Sequence, residues 1–181
     1  MFIIGIILIV VLLILVIWAV SVNNRAKQLR IGIDEARADV EVYLIKRYDV
    51  LTESCKAVKS FAGHEKEMFS ELVKLRKGMS TAELSQVASA QNKVATQLFA
   101  VGEAYPELKS AEVYIKLQNQ ISDENEHYAA AKRAFNSNVS IYNKYIIKFP
   151  ASIIASMIGC YREEFIKDID AESKRDATLD L

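Results

Sequence analysis

The sequence predicts an all-α protein, an antiparallel bundle of three to four long helices on an amino-terminal transmembrane helix. Only two prolines occur, and none precedes Pro106, so little in the chain would interrupt a long helix. Residues 2–22 form an apolar run of membrane-spanning length. Over residues 111–149, apolar side chains recur every three or four positions, which is the pattern of one face of a long helix.

The composition argues against a protein that binds nucleic acid. Lysine plus arginine and aspartate plus glutamate both number 23, so the formal net charge is zero, whereas nucleic-acid binding normally requires a basic excess. A length of 181 residues suits one ordinary domain. Cys55 and Cys160 lie far apart without a CxxC pair, and we interpret them as reduced, buried small hydrophobic residues.

Residues 2–22 are predicted to anchor the chain in a lipid bilayer. Apart from Gly5 and Ser21 the stretch is apolar, and as a helix it would be about 31 Å long, close to the hydrocarbon core of about 30 Å. Trp18 falls near its far end, where an indole favours the membrane interface. A cleaved signal peptide is the alternative, but the run is longer than such segments and no basic residue precedes it.

The charges that flank the span predict its orientation. No lysine or arginine precedes it, whereas basic residues follow it closely at Arg25, Lys27, Arg30 and Arg37. By the positive-inside rule, the bundle lies in the cytoplasm and the short amino terminus lies outside.

Residues 23–62 are predicted to form the first bundle helix, which can continue the span because the Asn23-Asn24 pair is a weak helix breaker. The segment contains no proline, and it carries an apolar stripe interrupted by one offset: Leu29, Ile33, Ala36, Val40, Leu44, Tyr48, Leu51, Cys55, Val58 and Ala62.

Two further helices are predicted before Pro106. Gly63-His64 is expected to end the first, and the next begins near Glu65 with an apolar side of Met68, Leu72 and Leu75. A capping box from Ser80 to Glu83 then predicts a helix from Thr81 to about Tyr105. Its core positions are Leu84, Val87, Gln91, Val94, Leu98 and Val101.

The helix at residues 111–149, which ends at Pro150, organises the predicted bundle. Its apolar stripe consists of Tyr114, Leu117, Ile121, Tyr128, Ala131, Phe135, Tyr142, Tyr145 and Phe149. The same register includes Glu124 and Asn138, where a plain core would carry leucine or isoleucine.

Residues 153–169 are predicted to form a short helix that closes the end of the bundle, with a helix on the membrane surface as the alternative. The charges from Arg162 onward argue against a second span. Residues 171–181 are small and charged, so we expect disorder there. The predicted organisation is an anchor at 1–22, a helical bundle at 23–170 and a disordered tail.

Three groups of residues resemble the signatures of the LemA family. The first lies between Lys46 and Glu65 and includes Tyr48-Asp49 and His64-Glu65. The second is AVGEAYPELK at residues 100–109, which includes Glu103, Tyr105 and Pro106. The third includes Leu117-Gln118, Glu124-Asn125, Phe135-Asn136, Tyr142-Asn143 and Phe149-Pro150. With the apolar amino terminus, the resemblance covers about residues 1–165.

The resemblance implies an antiparallel bundle on one anchor in a bacterial inner membrane, with the bundle in the cytoplasm. The family has no established biochemical activity, and one relative is associated with building magnetosome membranes. The chain departs from the family pattern at Thr52-Glu53-Ser54, where proline and asparagine are usual. It also departs at Phe135, where tyrosine is usual, and at Cys160, where an aromatic residue is usual.

No set of residues predicts catalysis, a metal ion or a cofactor. His64-Glu65 begins a zinc-protease motif, but Met68 stands where the second histidine is needed. Glu124 and His127 form a single E-x-x-H unit, whereas a di-iron bundle needs two. The sequence contains no nucleophile elbow and no phosphate-binding glycine loop. We therefore predict a protein that is not an enzyme and holds no cofactor.

Four polar residues of the long helix are predicted to fix helix register, as a core asparagine does in a coiled coil: Glu124, Asn136, Asn138 and Asn143. A buried carboxylate needs a partner, and Arg47 and Arg133 are the candidates. We hypothesise an ion pair between Glu124 and Arg47.

These observations predict a membrane-anchored scaffold that binds other membrane or cytoplasmic proteins and contacts lipid through residues 2–22. One alternative is an enzyme, metal-dependent or otherwise, that uses the bundle core. Another is a membrane-shaping protein that acts through residues 153–169.

Overall fold

One helix, α1 (Phe2–Ala62), runs without interruption from the apolar amino-terminal stretch through the bundle. It is seen in a computed structural model, which describes residues 2–62, 72, 75–76 and 78–169. Its 61 residues make a rod about 90 Å long. The Asn23-Asn24 pair does not end the helix, so the predicted span and the predicted first bundle helix are one element.

Within the described residues, α1 contains one stretch that is long and apolar enough to cross a membrane. The side chains of this stretch are exposed, and contacts with the rest of the bundle begin near Trp18, which is half-buried. Val22 and Ala26 are already buried. The bundle therefore begins where the predicted span at residues 2–22 ends.

Helix α2 (Thr81–Ala104) begins at the predicted capping box. The Glu83 amide donates to the Ser80 hydroxyl at 3.2 Å, and the Ser80 amide donates to the Glu83 carboxylate at 2.6 Å. The helix ends because Tyr105, which precedes a proline, adopts an extended conformation. A single turn, α3 (Pro106–Lys109), follows.

Helix α4 (Glu112–Ile147) runs antiparallel to α1. The Asn138 side-chain amide donates to the Gly32 carbonyl at 2.9 Å, and the Tyr145 hydroxyl donates to the Val22 carbonyl at 3.5 Å. As the residue numbers of α4 rise, the helix therefore approaches the membrane span of α1.

Helices α1 and α2 run parallel to each other. Arg37 donates to the Thr81 hydroxyl at 3.3 Å, and further along both helices Gln91 donates to the Leu44 carbonyl at 2.9 Å. The prediction of an all-α bundle is confirmed, and within it α4 is antiparallel to both other long helices.

The buried apolar side chains form two clusters. The proximal core, nearer the membrane span, contains Ile33, Ala36, Val40, Leu44, Met79, Leu84, Val87, Ala88, Tyr128, Ala131, Phe135, Val139, Tyr142, Ile146, Ala155 and Ile166. The distal core contains Leu51, Cys55, Val58, Val94, Ala95, Leu98, Leu108, Tyr114 and Ile121. Leu72 packs against the distal core and Leu75 against the proximal core.

The apolar stripe predicted on α4 is correct as far as Phe135 and then moves by one residue. Val139 and Ile146 are buried where Asn138 and Tyr145 were predicted, and Phe149 is 76% exposed. A straight helix with 3.6 residues per turn drifts from a strict seven-residue repeat, so the buried side changes over several heptads. On α1, similarly, Arg47 is buried at the position where Tyr48 was predicted.

The apolar segment after Pro150 is a short helix followed by non-helical chain. Helix α5 (Ala151–Met157) closes the membrane-proximal end of the bundle, where Ala155 joins the proximal core. Gly159, with φ of 73°, lies just past the helix end, in a conformation that favours glycine. Residues 158–168, the carboxyl-terminal strap, are not helical, although helix was predicted over 153–169.

Several sequence predictions lie outside the described residues. They concern the start of the helix near Glu65, the signature residues His64 and Glu65, and the disordered tail at residues 171–181. Leu72 and Leu75, which were predicted on that helix, are described and are not helical.

Candidate functional site

Arg47 lies in the interior of the bundle and contacts both neighbouring helices. Its side chain is only 3% exposed. The Nη2 atom donates to Asn92 Oδ1 on α2 at 2.7 Å. The guanidinium carbon lies 5.0 Å from the centroid of the Tyr128 ring on α4, which is a cation–π distance. These two contacts hold the guanidinium at one place between the helices.

The positive charge of Arg47 has no counter-charge among the described residues. Its Nη1 atom is buried without a hydrogen-bond partner, and no carboxylate forms an ion pair with it. Burial lowers the pKa of Arg47, because desolvation disfavours the charged form. A guanidinium nevertheless stays protonated in proteins. The site therefore contains a buried cation whose N–H groups are only partly hydrogen-bonded.

The predicted ion pair between Glu124 and Arg47 does not form. The Arg47 guanidinium is directed to Asn92 and Tyr128, and Tyr128 lies one turn along α4 from Glu124. Glu124 is half-buried, and its Oε2 atom has no hydrogen-bond partner among the described residues. Arg133, the other candidate partner, is exposed.

Next to Arg47 is a cleft of about 410 Å³ between the helices, lined by Arg47, Asn92, Asn125, Tyr128, Ala129, Lys132, Arg133 and Asp168. Lys132 forms an ion pair with Asp168 of the strap. Two further lining residues have buried polar atoms that find no partner in the described part of the chain, Oδ1 of Asn125 and the hydroxyl of Tyr128. Burial raises the pKa of Tyr128 to about 12, so this hydroxyl is protonated at neutral pH and can donate a hydrogen bond.

Asn136 and Asn143 hold the strap against α4. The Asn143 side chain donates to the Glu163 carbonyl and accepts from the Glu163 amide, both at 2.9 Å. Asn136 pairs in the same way with Ile166, at 3.0 and 2.9 Å. Asn136 and Asn143 are seven residues apart on a helix, and Glu163 and Ile166 are three residues apart on the extended strap. Both separations are about 10 Å, so the two asparagines match the two strap residues. The two asparagines contact the strap backbone, whereas Asn138 bonds to α1 across the bundle.

The family-signature residues in the described part of the chain do not meet at one site. Glu103 is exposed and pairs with Lys109 at 3.1 Å, next to the turn at Tyr105-Pro106 at the distal end. Phe149-Pro150 lies at the other end, where α4 turns into α5. Tyr48 is half-buried and Asp49 is exposed on α1.

The described residues contain no cluster of three histidine, cysteine, aspartate or glutamate side chains that could hold a metal ion. His127 stacks on Tyr43 instead, with ring centroids 5.3 Å apart. Cys55 is buried and Cys160 is half-buried, and the two are not joined by a disulfide.

Sequence reasoning missed most of the cleft. Asn92 and Lys132 were not singled out, Asn125 was named only as a family-signature residue, and Tyr128 was predicted only as a core residue. The sequence did contain one indication that Arg47 is buried. It lies three residues after Leu44 and four before Leu51, which places it on the buried side of α1.

Comparisons with known proteins agree with the architecture. The model of the LemA family matches residues 36–180, which is most of the chain. Among curated proteins, magnetosome protein MamQ of Magnetospirillum gryphiswaldense is 29% identical over 72 residues. This match covers 40% of the chain and 26% of MamQ, so the chain aligns with about a quarter of the length of that relative.

Proposed function

Because the chain belongs to the LemA family, we propose that it is a membrane-anchored scaffold without catalytic activity. In this proposal residues 2–22 anchor it in the bacterial inner membrane, and the bundle binds other proteins on the cytoplasmic side. The observation that carries the proposal is the continuity of α1. Because the anchor and the bundle share one helix, the bundle holds its partners at a defined distance from the membrane, which a flexible tether would not do.

The cytoplasmic placement is supported by the charges next to the span. Arg25 and Lys27 follow it on an exposed part of α1, and no basic residue precedes it. Thiol labelling tests this placement, with Lys93→Cys on α2 in a variant that lacks Cys55 and Cys160. A membrane-impermeant maleimide should label this cysteine only after the cells are opened. Labelling in intact cells would place the bundle outside.

A contact surface for partners is available on the outer side of α1. Ile31, Ala38, Val42 and Ile45 are exposed and fall within about 60° of one another around the helix. Soluble surfaces rarely group apolar side chains in this way unless the group serves an interaction.

Site-specific photo-crosslinking tests the scaffold proposal. A photoreactive residue at Val42 or Ile45 should form discrete adducts with other proteins in cells, and one at exposed Lys116, near the distal start of α4, should not. Equal labelling at all three positions, or none at Val42 and Ile45, would count against this surface. Metal analysis of the purified full-length protein tests the alternative of a metal-dependent enzyme, for which stoichiometric metal is required.

A second function, contact with the membrane surface, is favoured by the apolar side chains around α5. Phe149 is 76% and Met157 78% exposed, and Ile153 is also exposed. They lie just beyond Tyr145, which contacts Val22 at the end of the predicted span. Apolar side chains this close to the span are stabilised when they enter the headgroup region of the bilayer.

Bromolipid quenching tests this membrane contact. In a Trp18→Phe background, the fluorescence of Met157→Trp should be quenched when the full chain is placed in nanodiscs of brominated lipid. The control is Val113→Trp, because Val113 is exposed at the distal end of the bundle. Equal quenching at the two positions, or none at Met157→Trp, would exclude lipid contact by α5.

A further inference from the structure

We propose that the cleft beside Arg47 binds a small, soluble phosphate monoester that also carries a hydroxyl group, through the free guanidinium nitrogen of Arg47 and the hydroxyl of Tyr128. This binding site is independent of the scaffold proposal, since it lies between the helices and not on the outer side of α1.

The buried guanidinium is the first argument for an anion. Arg47 is 97% buried, and one of its terminal nitrogens has no hydrogen-bond partner among the described residues. An uncompensated buried charge is strongly destabilising, and an anionic oxygen beside it removes that penalty. Asn92 and Tyr128 hold the guanidinium at the cleft, so ligand binding does not have to immobilise this side chain.

The charge of the cleft is the second argument, and it favours a phosphate monoester over a carboxylate. Arg47, Lys132 and Arg133 contribute three positive charges to the lining and Asp168 one negative charge, which leaves a net charge of +2. A phosphate monoester carries about −1.5 to −2 at neutral pH. Arginine also matches the geometry of phosphate oxygens through paired N–H groups.

The neutral groups of the cleft define the rest of the ligand. The buried Tyr128 hydroxyl can donate to a phosphate oxygen, as the free Arg47 nitrogen can. The buried Oδ1 of Asn125 also has no partner and needs a donor, which a ligand hydroxyl supplies. A volume of about 410 Å³ is at the small end of the range for ligand sites and suits a molecule of sugar-phosphate size.

The height of the cleft separates a soluble phosphate from a lipid headgroup. Arg47 follows Val22 by 25 residues on a continuous helix, which places it about 37 Å beyond the end of the span. Lipid headgroups extend only about 5–8 Å beyond the hydrocarbon core on each side. The phosphate therefore comes from solution.

Calorimetric titration of the full-length protein in a non-ionic detergent tests the proposal. The probes are ribose 5-phosphate, inorganic phosphate, ribose, and a short-chain phosphatidic acid for the lipid source. We expect saturable binding of ribose 5-phosphate, weaker binding of inorganic phosphate and no binding of ribose. Binding of the phosphatidic acid but not of ribose 5-phosphate would overturn the soluble-ligand proposal.

Four variants locate the site. Arg47→Gln should weaken ribose 5-phosphate binding by about tenfold or more, the effect of losing one charged hydrogen bond. Arg133→Gln, at an exposed rim position, should weaken it by about threefold without affecting folding, and Asp168→Asn should strengthen it by a similar factor. The control is Lys56→Gln, because Lys56 is an exposed residue of α1 outside the cleft.

Glu124→Gln separates ligand binding from an internal ion pair. If the Glu124 carboxylate turns to Arg47 in solution, removing its charge should strengthen ribose 5-phosphate binding about tenfold or reveal binding that the wild type lacks. The proposal instead expects the affinity of Glu124→Gln to lie within about twofold of wild type. Absence of saturable binding in the wild type, or equal affinities in Arg133→Gln, Asp168→Asn and wild type, would overturn it even if Arg47→Gln fails to fold.

Discussion

The two asparagines that bind the strap and the polar side chains around Arg47 differ in how fully their hydrogen-bonding atoms are paired. In the proximal half, both amide atoms of Asn136 and of Asn143 bond to the strap backbone. Around Arg47, one guanidinium nitrogen and the Tyr128 hydroxyl are buried without partners among the described residues.

This difference separates polar groups that stabilise the fold from groups available to a ligand. A paired amide adds to stability, and its removal should destabilise the bundle. A buried atom without a partner is unfavourable until something binds it, so its removal should leave the free protein unchanged or more stable. The predictions below apply this distinction to the full-length protein in detergent, from the largest expected effect to the smallest.

Alanine substitution of the strap-binding asparagines should have the largest effect. Asn136→Ala and Asn143→Ala should each lower the free energy of unfolding by about 2 kcal/mol, and together by about 4 kcal/mol, because each removes two hydrogen bonds. Urea unfolding followed by circular dichroism measures this. Asn119→Ala, on the exposed side of α4, is the control. If the asparagine variants unfold like the control, the strap does not contribute to stability.

Alkaline pH should destabilise the bundle through Tyr128. Burial raises the pKa of this hydroxyl to about 12 in the folded chain, against an ordinary value of 10, so the folded state holds the proton more tightly. This stabilisation is complete below pH 10 and lost between pH 10 and 12, a loss of about 2 to 3 kcal/mol. Tyr128→Phe should flatten this part of the stability profile. Tyr161→Phe, at an exposed position, should leave this part of the profile unchanged. Equal changes of unfolding free energy with pH in the two variants would contradict the prediction.

Two buried tyrosines should respond differently to loss of the hydroxyl at neutral pH. Tyr114 donates to the Leu98 carbonyl at 2.7 Å, so Tyr114→Phe should lower the free energy of unfolding by about 1 kcal/mol. The Tyr128 hydroxyl has no partner among the described residues, so Tyr128→Phe should change the free energy of unfolding by about zero or stabilise the bundle slightly. Thermal unfolding in phosphate-free buffer compares the two variants. A larger loss of unfolding free energy in Tyr128→Phe than in Tyr114→Phe would show that the Tyr128 hydroxyl is paired in solution.

The ion pair between Arg30 and Glu163 should have the smallest effect, although it joins the same strap to α1. The Arg30 side chain is 59% exposed and lies 3.2 Å from the Glu163 carboxylate. Arg30→Gln should therefore lower the free energy of unfolding by no more than about 0.5 kcal/mol. An effect as large as that of Asn143→Ala would mean that charge, and not the asparagine amides, holds the strap.

Local sequence patterns predicted most of the helical architecture. The capping box located the start of α2, and helical periodicity located α4 to within two residues at each end. Of the six core positions predicted on α2, five are buried, including Gln91, and Val101 is partly buried against the distal core. These features depend on residues close together in the chain, which is why one sequence is enough to reveal them.

The strap and the cleft depend on residues far apart in the chain. Residues 158–168 were predicted to be helical because of their apolar content, whereas side-chain amides 20 and 30 residues away bind their backbone. Arg47 meets Asn92 and Tyr128 only after three helices have packed in a particular register. Periodicity within one helix contains no information about that register.

The continuity of α1 also fixes the rotational setting of the bundle relative to the faces of the predicted span. Each residue of a helix turns the chain by about 100° and advances it by about 1.5 Å. One alanine inserted between Ser21 and Val22 would lengthen α1 by only about 1.5 Å. It would nevertheless rotate every face of the bundle by about 100° around the helix axis. The number of residues in α1 between the predicted span and the bundle thus determines which face of the bundle lies above which face of the span.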